Sequence, residues 1–136
     1  MNWFRKLFGK LPAPPSVMAT FRKEPNGVYA LRIGGTLNKA TLDNIQAVAR
    51  HNIEAGARDL KVLLLLDDFR GWKHGDNWGD LDFFSRYEEF IVKIAVVGEP
   101  RWEAETRLFL SAGRRHGQVR YFPPHYEGRA RTWLAE

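Results

Sequence analysis

Cysteine is absent from the 136-residue chain, which excludes disulfides, thiolate metal sites and a cysteine nucleophile, and fits a reducing compartment. Serine and threonine are missing from the whole stretch between Leu60 and Phe84, so that stretch offers no hydroxyl of these types for phosphorylation or nucleophilic attack. No apolar run approaches the ~18–20 residues of a spanning helix. The segment from Met1 to Lys10 is broken by charge too often to form the apolar core of a signal peptide, and Asn2 in place of glycine removes N-myristoylation. Internal repeats and low-complexity tracts are missing as well. Together these absences lead us to expect a cytoplasmic protein.

What is present is enough for one packed domain. An apolar content of 44% with 13% aromatic residues excludes disorder for the bulk of the chain. The net charge of +5 is unevenly spread: residues 1–11 hold three cations and no acid, residues 67–82 hold five aspartates against Arg70 and Lys73, and residues 101–136 hold seven arginines against four glutamates. Two basic ends around an acidic middle argue against a single polyanion-binding face.

The run Lys61-Val-Leu-Leu-Leu-Leu-Asp67-Asp68-Phe-Arg-Gly71-Trp72 reads as a strand buried on both faces, Leu60 to Leu66, whose carboxyl end opens into an acidic loop. That end is where helix-covered sheets place ligands. Upstream, Val17–Lys23 and Val28–Ile33 form a hairpin around Pro25-Asn26-Gly27, and Gly34-Gly35 turns the chain out of it. Asn38 caps a helix with an apolar stripe of Leu42, Ile45, Val48, Ala49 and Ile53, ended by Gly56. Asp76 and Asn77 cap a second helix bearing Trp78, Leu81, Phe84 and Tyr87. Ile91–Val97 is a strand, Pro100 opens a third helix that stops at Gly113, Gln118–Phe122 is a strand, and a last helix covers Tyr126–Leu134. The order predicts an α/β fold: a mixed β-sheet of about five strands, an N-terminal hairpin and about four covering helices. Residues 12–16, Pro-Ala-Pro-Pro-Ser, are a stiff linker, so the expected organisation is a tail and linker at 1–16 and a domain at 17–136.

In the tail, Trp3, Phe4, Leu7, Phe8 and Leu11 fall on one helical face, with Arg5, Lys6 and Lys10 on or beside the other. This is the pattern of a helix lying in an anionic membrane surface. A segment so short must dock to be helical, and its own domain, a partner protein or a sister subunit in a homodimer are the other surfaces open to it. Trp72, Trp78 and Phe84 either gate an apolar pocket at the sheet's end or are ordinary core beneath a loop. His74, Asp76 and Asp80 have spacing open to metal ligation, but helix-capping aspartates beside an exposed histidine account for them, and no metal site is expected. Asp67 and Asp68 have no accompanying catalytic group, and Ser16, Ser85 and Ser111 sit in no nucleophile elbow. No enzyme, catalytic residue or cofactor is therefore expected. Arg114, Arg115, His116, Arg120, Tyr121, Arg129 and Arg131 are spread over several elements and read as solvated surface rather than a nucleic-acid site.

The element order, with Leu-Leu-Leu-Leu-Asp-Asp-Phe-Arg-Gly-Trp at 63–72, Trp78-Gly-Asp-Leu-Asp-Phe, Lys93-Ile-Ala-Val-Val-Gly, Arg101-Trp-Glu and Val119-Arg-Tyr-Phe, resembles the SpoIIAA-like family over roughly residues 17–135. These are small, mostly uncharacterised bacterial STAS-type domains, also likened to CRAL-TRIO lipid carriers. The resemblance implies a STAS-like fold and raises membrane association and ligand binding as family hypotheses. Anti-sigma-factor antagonists of this fold carry a phosphorylated serine after the central strand; here that region is Asp68-Phe-Arg-Gly-Trp-Lys-His-Gly-Asp-Asn-Trp, which excludes that switch. The expectation is a non-enzymatic cytoplasmic binding or regulatory module, peripheral on the inner membrane face through Trp3, Phe4, Arg5, Lys6, Leu7, Phe8 and Lys10. It would present a ligand or partner loop of Asp67, Asp68, Gly71, Trp72, Trp78 and Phe84. The alternative is a carrier of lipid or another small apolar molecule, and a continuous apolar cavity beneath residues 72–90 would favour it.

Overall fold

The turn Pro25-Asn26-Gly27 joins β1 (Val17–Lys23) to β2 (Val28–Leu37), which pair antiparallel from Val17 opposite Gly35 to Lys23 opposite Tyr29. Gly27 takes φ +84°, its N–H donates to the Glu24 carbonyl at 2.9 Å, and the Asn26 side chain accepts from the Val28 N–H at 3.1 Å. The backbone thus closes where glycine and asparagine allow it. The computed structural model describes residues 17–111 and 117–136 of the chain. The expected tail and linker at 1–16, the helix stop at Gly113, and Arg114, Arg115 and His116 lie outside the described residues.

Beyond the hairpin the chain alternates. Helix α1 (Lys39–Glu54) starts on Asn38, whose side chain accepts from the Thr41 N–H at 2.8 Å and so satisfies one orphan donor of the first turn. Then come β3 (Leu60–Trp72), α2 (Asp82–Tyr87) running into a 3-10 turn at Glu88–Phe90, and β4 (Ile91–Val97). A second 3-10 turn at Pro100–Trp102 leads into α3 (Glu103–Ser111), followed by β5 (Gln118–Phe122), a third 3-10 turn and α4 (Glu127–Ala135). The five strands lie side by side in chain order, and β2 through β5 are parallel.

Chain-order parallel strands joined by crossovers of one hand place all three crossover helices on the same face. The two cores follow that rule. Leu31, Ile33, Leu64, Phe69, Ile94 and Val96 share one core with Ile53 of α1, Phe84 of α2 and Leu110 of α3. Leu63, Leu65, Ala95 and Val97 point the other way and pack on Ala130, Trp133 and Leu134 of α4. Lys93 closes the C-terminus of α4 by donating to the carbonyls of Trp133 and Glu136, both at 2.9 Å.

Three expectations need correction. Strand β3 does not stop at Leu66 but runs 13 residues to Trp72, because β2 also continues, through Gly34-Gly35 to Leu37, and offers it a partner. Gly34 and Gly35 therefore lie inside a strand rather than turning the chain away. Helix α2 begins at Asp82, not at Asp76-Asn77. The Asp76 carboxylate instead accepts from the Lys39 N–H at 2.8 Å, at the start of α1, and Asp80 accepts from the Asp82 N–H at 3.1 Å.

Arg131 of α4 grips Glu24, next to the hairpin turn, through two nitrogens at 2.7 and 3.2 Å. This hydrogen bonding holds the Glu24 carboxyl below its ordinary value of 4.5. A depressed carboxylate contributes stability that is present above the ordinary value and lost as pH falls through the folded one. Glu24→Gln is expected to cost about 1 kcal/mol at pH 7, the screened value for a pair whose arginine is partly exposed. It is also expected to flatten the loss of stability below pH ~4.5. Urea denaturation at pH 7 and pH 3.5 checks both.

Candidate functional site

The continuation of β3 past Leu66 determines where its carboxylates go. Ile33 lies opposite Leu66, Gly35 opposite Phe69 and Leu37 opposite Trp72, so β3 carries one extra residue in each interval. These are two bulges, and the residues with positive φ within them are Asp68 (+55°) and Gly71 (+98°). Strict alternation from Leu64 and Leu66 would send Asp68 and Arg70 into the core. The first bulge turns Asp68 outward and delivers Phe69, 2% exposed, in its place.

Asp67 and Asp68 are accordingly exposed. Asp67 pairs with Arg32 at 2.9 Å, Arg70 lies 3.8 Å from Asp68, and neither aspartate lines a cavity with the tryptophans. The expected ligand loop therefore divides. Gly71, Trp72, Trp78 and Phe84 come together, while the two carboxylates sit apart from them on the solvent side.

The aromatic half centres on Phe109 of α3. Its ring lies 6.2 Å from Trp72, 6.2 Å from Trp78 and 6.0 Å from Phe84, centroid to centroid. Trp102 joins at 5.2 Å from Phe69, which itself meets Trp72 edge-on at 5.1 Å. An added Cβ at Gly71 would stand 3.1 Å from the edge of the Trp102 ring, so glycine leaves room for the indole to approach the strand this closely. The segment from Lys73 to Leu81 is pinned over this cluster. The Trp78 indole donates to the Lys73 carbonyl at 2.9 Å, and Lys73 N–H donates to the Leu37 carbonyl at 2.7 Å. Lys39 binds both Asp43 and Asp80. The hydrogen bond to Asp43 is the main reason its pKa is raised, and the hydrogen bond from the Asp82 N–H, followed by that from Lys39, lowers the pKa of Asp80. His74, Asp76 and Asp80 are thus not gathered around a common point, and no cluster of three or more metal-ligating side chains forms among the described residues.

Beneath the aromatic cluster, between the sheet and α1, α2 and α3, is a cavity of about 110 Å³. Leu64 and Ile94 form its floor, and Ala49, Phe83, Phe84 and Phe109 are among its helical walls. Engineered apolar cavities of about 150 Å³ stay dry and take up benzene, so this one is of a size to hold a ring or a short alkyl chain. No charged residue lines it; two of its lining residues have a buried polar atom with no hydrogen-bond partner among the described residues, the hydroxyl of Thr106 of α3, 2% exposed, and the indole N–H of Trp72.

Sequence reasoning found Trp72, Trp78 and Phe84 but missed Trp102, Thr106, Phe109 and Leu110 as one surface. The signal was available, since these four fall at i, i+4, i+7 and i+8 of a helical stretch. At the far end of β4, Tyr121 donates to the Glu99 carbonyl at 2.6 Å; burial first, then the nearby Glu103 and Glu99, raise its pKa to about 12. It remains a neutral phenol at physiological pH.

A family model described as SpoIIAA-like matches residues 28–135. No curated protein matches the chain. Among solved structures, the chain is similar to an uncharacterized protein from the DUF3478 family with a SpoIIAA-like fold, from Shewanella loihica PV-4. The TM-score is 0.67 at 13% identity, over 91% of this chain and 98% of that one. That likeness is one of fold.

Proposed function

The chain belongs to the SpoIIAA-like family, and from that premise we propose that it is a non-enzymatic binding module whose cavity takes a small apolar ligand or the apolar end of a lipid. The carrying observation is the uncharged cavity of about 110 Å³ between the sheet and α1–α3. It lies beneath the region where a filled core would have favoured a pure protein-interaction module. A ligand that covers this apolar wall gains roughly 25 cal/mol for each Å² of apolar surface it removes from water, which is a driving force built into the fold. The separation of Asp67 and Asp68 from the cavity supports a role in binding rather than catalysis.

The test is ligand-dependent stability. An apolar ligand present at a hundred times its Kd is expected to stabilise the protein by about 2.7 kcal/mol, read as a rise in thermal midpoint. Ala49→Leu, which adds a side chain to the cavity wall on a helix that accepts leucine, is expected to abolish that rise while leaving the fold intact. Organic extraction of the purified protein followed by mass spectrometry would identify a native ligand. A protein that is always empty and unmoved by apolar ligands would overturn the reading.

The second part of the proposal is peripheral membrane association through residues 1–11, supported by the amphipathic pattern of Trp3, Phe4, Leu7 and Phe8 with Arg5, Lys6 and Lys10. No helix among the described residues is long and apolar enough to cross a membrane. Deleting residues 1–11 is expected to abolish pelleting with anionic liposomes, and raised salt is expected to weaken it. A full-length protein that never pellets refutes the membrane role.

A further inference from the structure

We propose that the Thr106 hydroxyl is the polar anchor of the cavity, so that the preferred ligand is an apolar molecule bearing one neutral hydrogen-bonding oxygen, such as an alcohol, ketone or ester. This rests on the apolar-ligand reading of the cavity and narrows it. Thr106 is 2% exposed, lines the cavity, and its Oγ1 is buried without a partner among the described residues. Buried hydroxyls are ordinarily satisfied, and an orphan one is costly. A threonine in a helix usually resolves this by donating to the carbonyl three or four residues back; here no such bond forms, to Trp102 or to any other described residue.

The wall turns no polar surface toward the cavity, so Thr106 presents its carbon atoms there; a turn of about 120° about χ1 that carries Oγ1 into the place of Cγ2 would let the hydroxyl meet a ligand oxygen without any backbone movement. The rest of the wall sets the other limit. No arginine, lysine, histidine, aspartate or glutamate lines the cavity, and a carboxylate or phosphate brought inside would be a buried charge with no counter-charge. Two other polar groups belong to wall residues: Gln46, half-buried on α1 and with access to solvent, and the Trp72 indole N–H, also buried without a partner among the described residues, which can donate but not accept. A hydrocarbon would fill the space and leave the Thr106 hydroxyl orphaned. A molecule with one neutral oxygen does both jobs.

Toluene and phenol are near-isosteric probes that differ in this respect, and their affinities for the full chain can be measured by calorimetry. The useful quantity is the ratio of the two dissociation constants, because comparing it between variants cancels each probe's own hydration. In Thr106→Val, which keeps shape and removes the hydroxyl, the ratio is expected to shift about fivefold to tenfold toward toluene, the equivalent of one neutral hydrogen bond. Thr106→Ser, which keeps the hydroxyl, is expected to retain the wild-type ratio. A purely structural threonine would change the thermal midpoint of the valine variant and leave the ratio unmoved. If both probes bind and the ratio does not move, Thr106 is not the anchor and the cavity reading stands alone. If neither probe binds the wild-type protein, both proposals fail together.

Discussion

Phe109→Ala is expected to destabilise the domain by about 3 kcal/mol, the low end of the range for truncating a core phenylalanine. The low end applies because Phe109 is only partly buried. Its ring nevertheless touches Trp72, Trp78 and Phe84, with centroids 6.0–6.2 Å away, and these three come from the end of β3, the following loop and α2. Removing the ring unties the loop from the helix and takes away part of the wall of the apolar cavity. Loss of ligand-induced stabilisation should therefore accompany the loss of stability, and Phe109→Leu should keep most of both. Urea denaturation with and without an apolar ligand measures the two effects. A cost below about 0.5 kcal/mol, within the range of ordinary surface changes, would mean that the aromatic cluster is not a packing unit.

The second large effect is expected at Gly34. A Cβ there would come within 2.6 Å of the Asp67 carbonyl oxygen, and a backbone atom cannot rotate out of the way. Gly34→Ala should force β2 off β3 where the first bulge turns Asp68 outward, at a cost of about 2–3 kcal/mol, as for other overpacked sites. Gly128→Ala is the matched control. It lies in α4 with nothing within 4 Å of an added Cβ, and should be neutral or stabilising by up to ~1 kcal/mol, because alanine is the better helix former. Equal effects at the two glycines would show that the approach of Gly34 to Asp67 is not a constraint.

The element order, the hairpin turn, the Asn38 cap and the position of the buried Leu-rich strand were all legible in the sequence, because each depends on local chemistry or on periodicity. The end of that strand was not. Asp67-Asp68 looked like the start of a loop because two adjacent carboxylates do not fit an alternating strand, and the bulges that accommodate them arise from pairing with Gly35 and Leu37 of another element. The start of α2 was misplaced for a related reason: Asp76 serves the N-terminus of α1 across a distance of 37 residues instead of capping the helix that follows it. Among the site residues, the tryptophans of β3 and its loop were found from their place in the chain. Thr106 was not, since an unpaired hydroxyl beside a cavity is a property of packing and has no sequence signature.

The two cores supply an internal control for the central claim that the face covered by α1–α3 holds a ligand cavity. Methyl-labelled protein titrated with toluene and followed by carbon–proton correlation spectra should show saturable shifts at Leu31, Ile33, Leu64, Ile94 and Leu110. The methyls of Leu63, Leu65 and Leu134, in the core beneath α4, should stay still. Shifts confined to exposed methyls such as those of Met18, Val48 and Leu108, or no saturable shift at all, would contradict it.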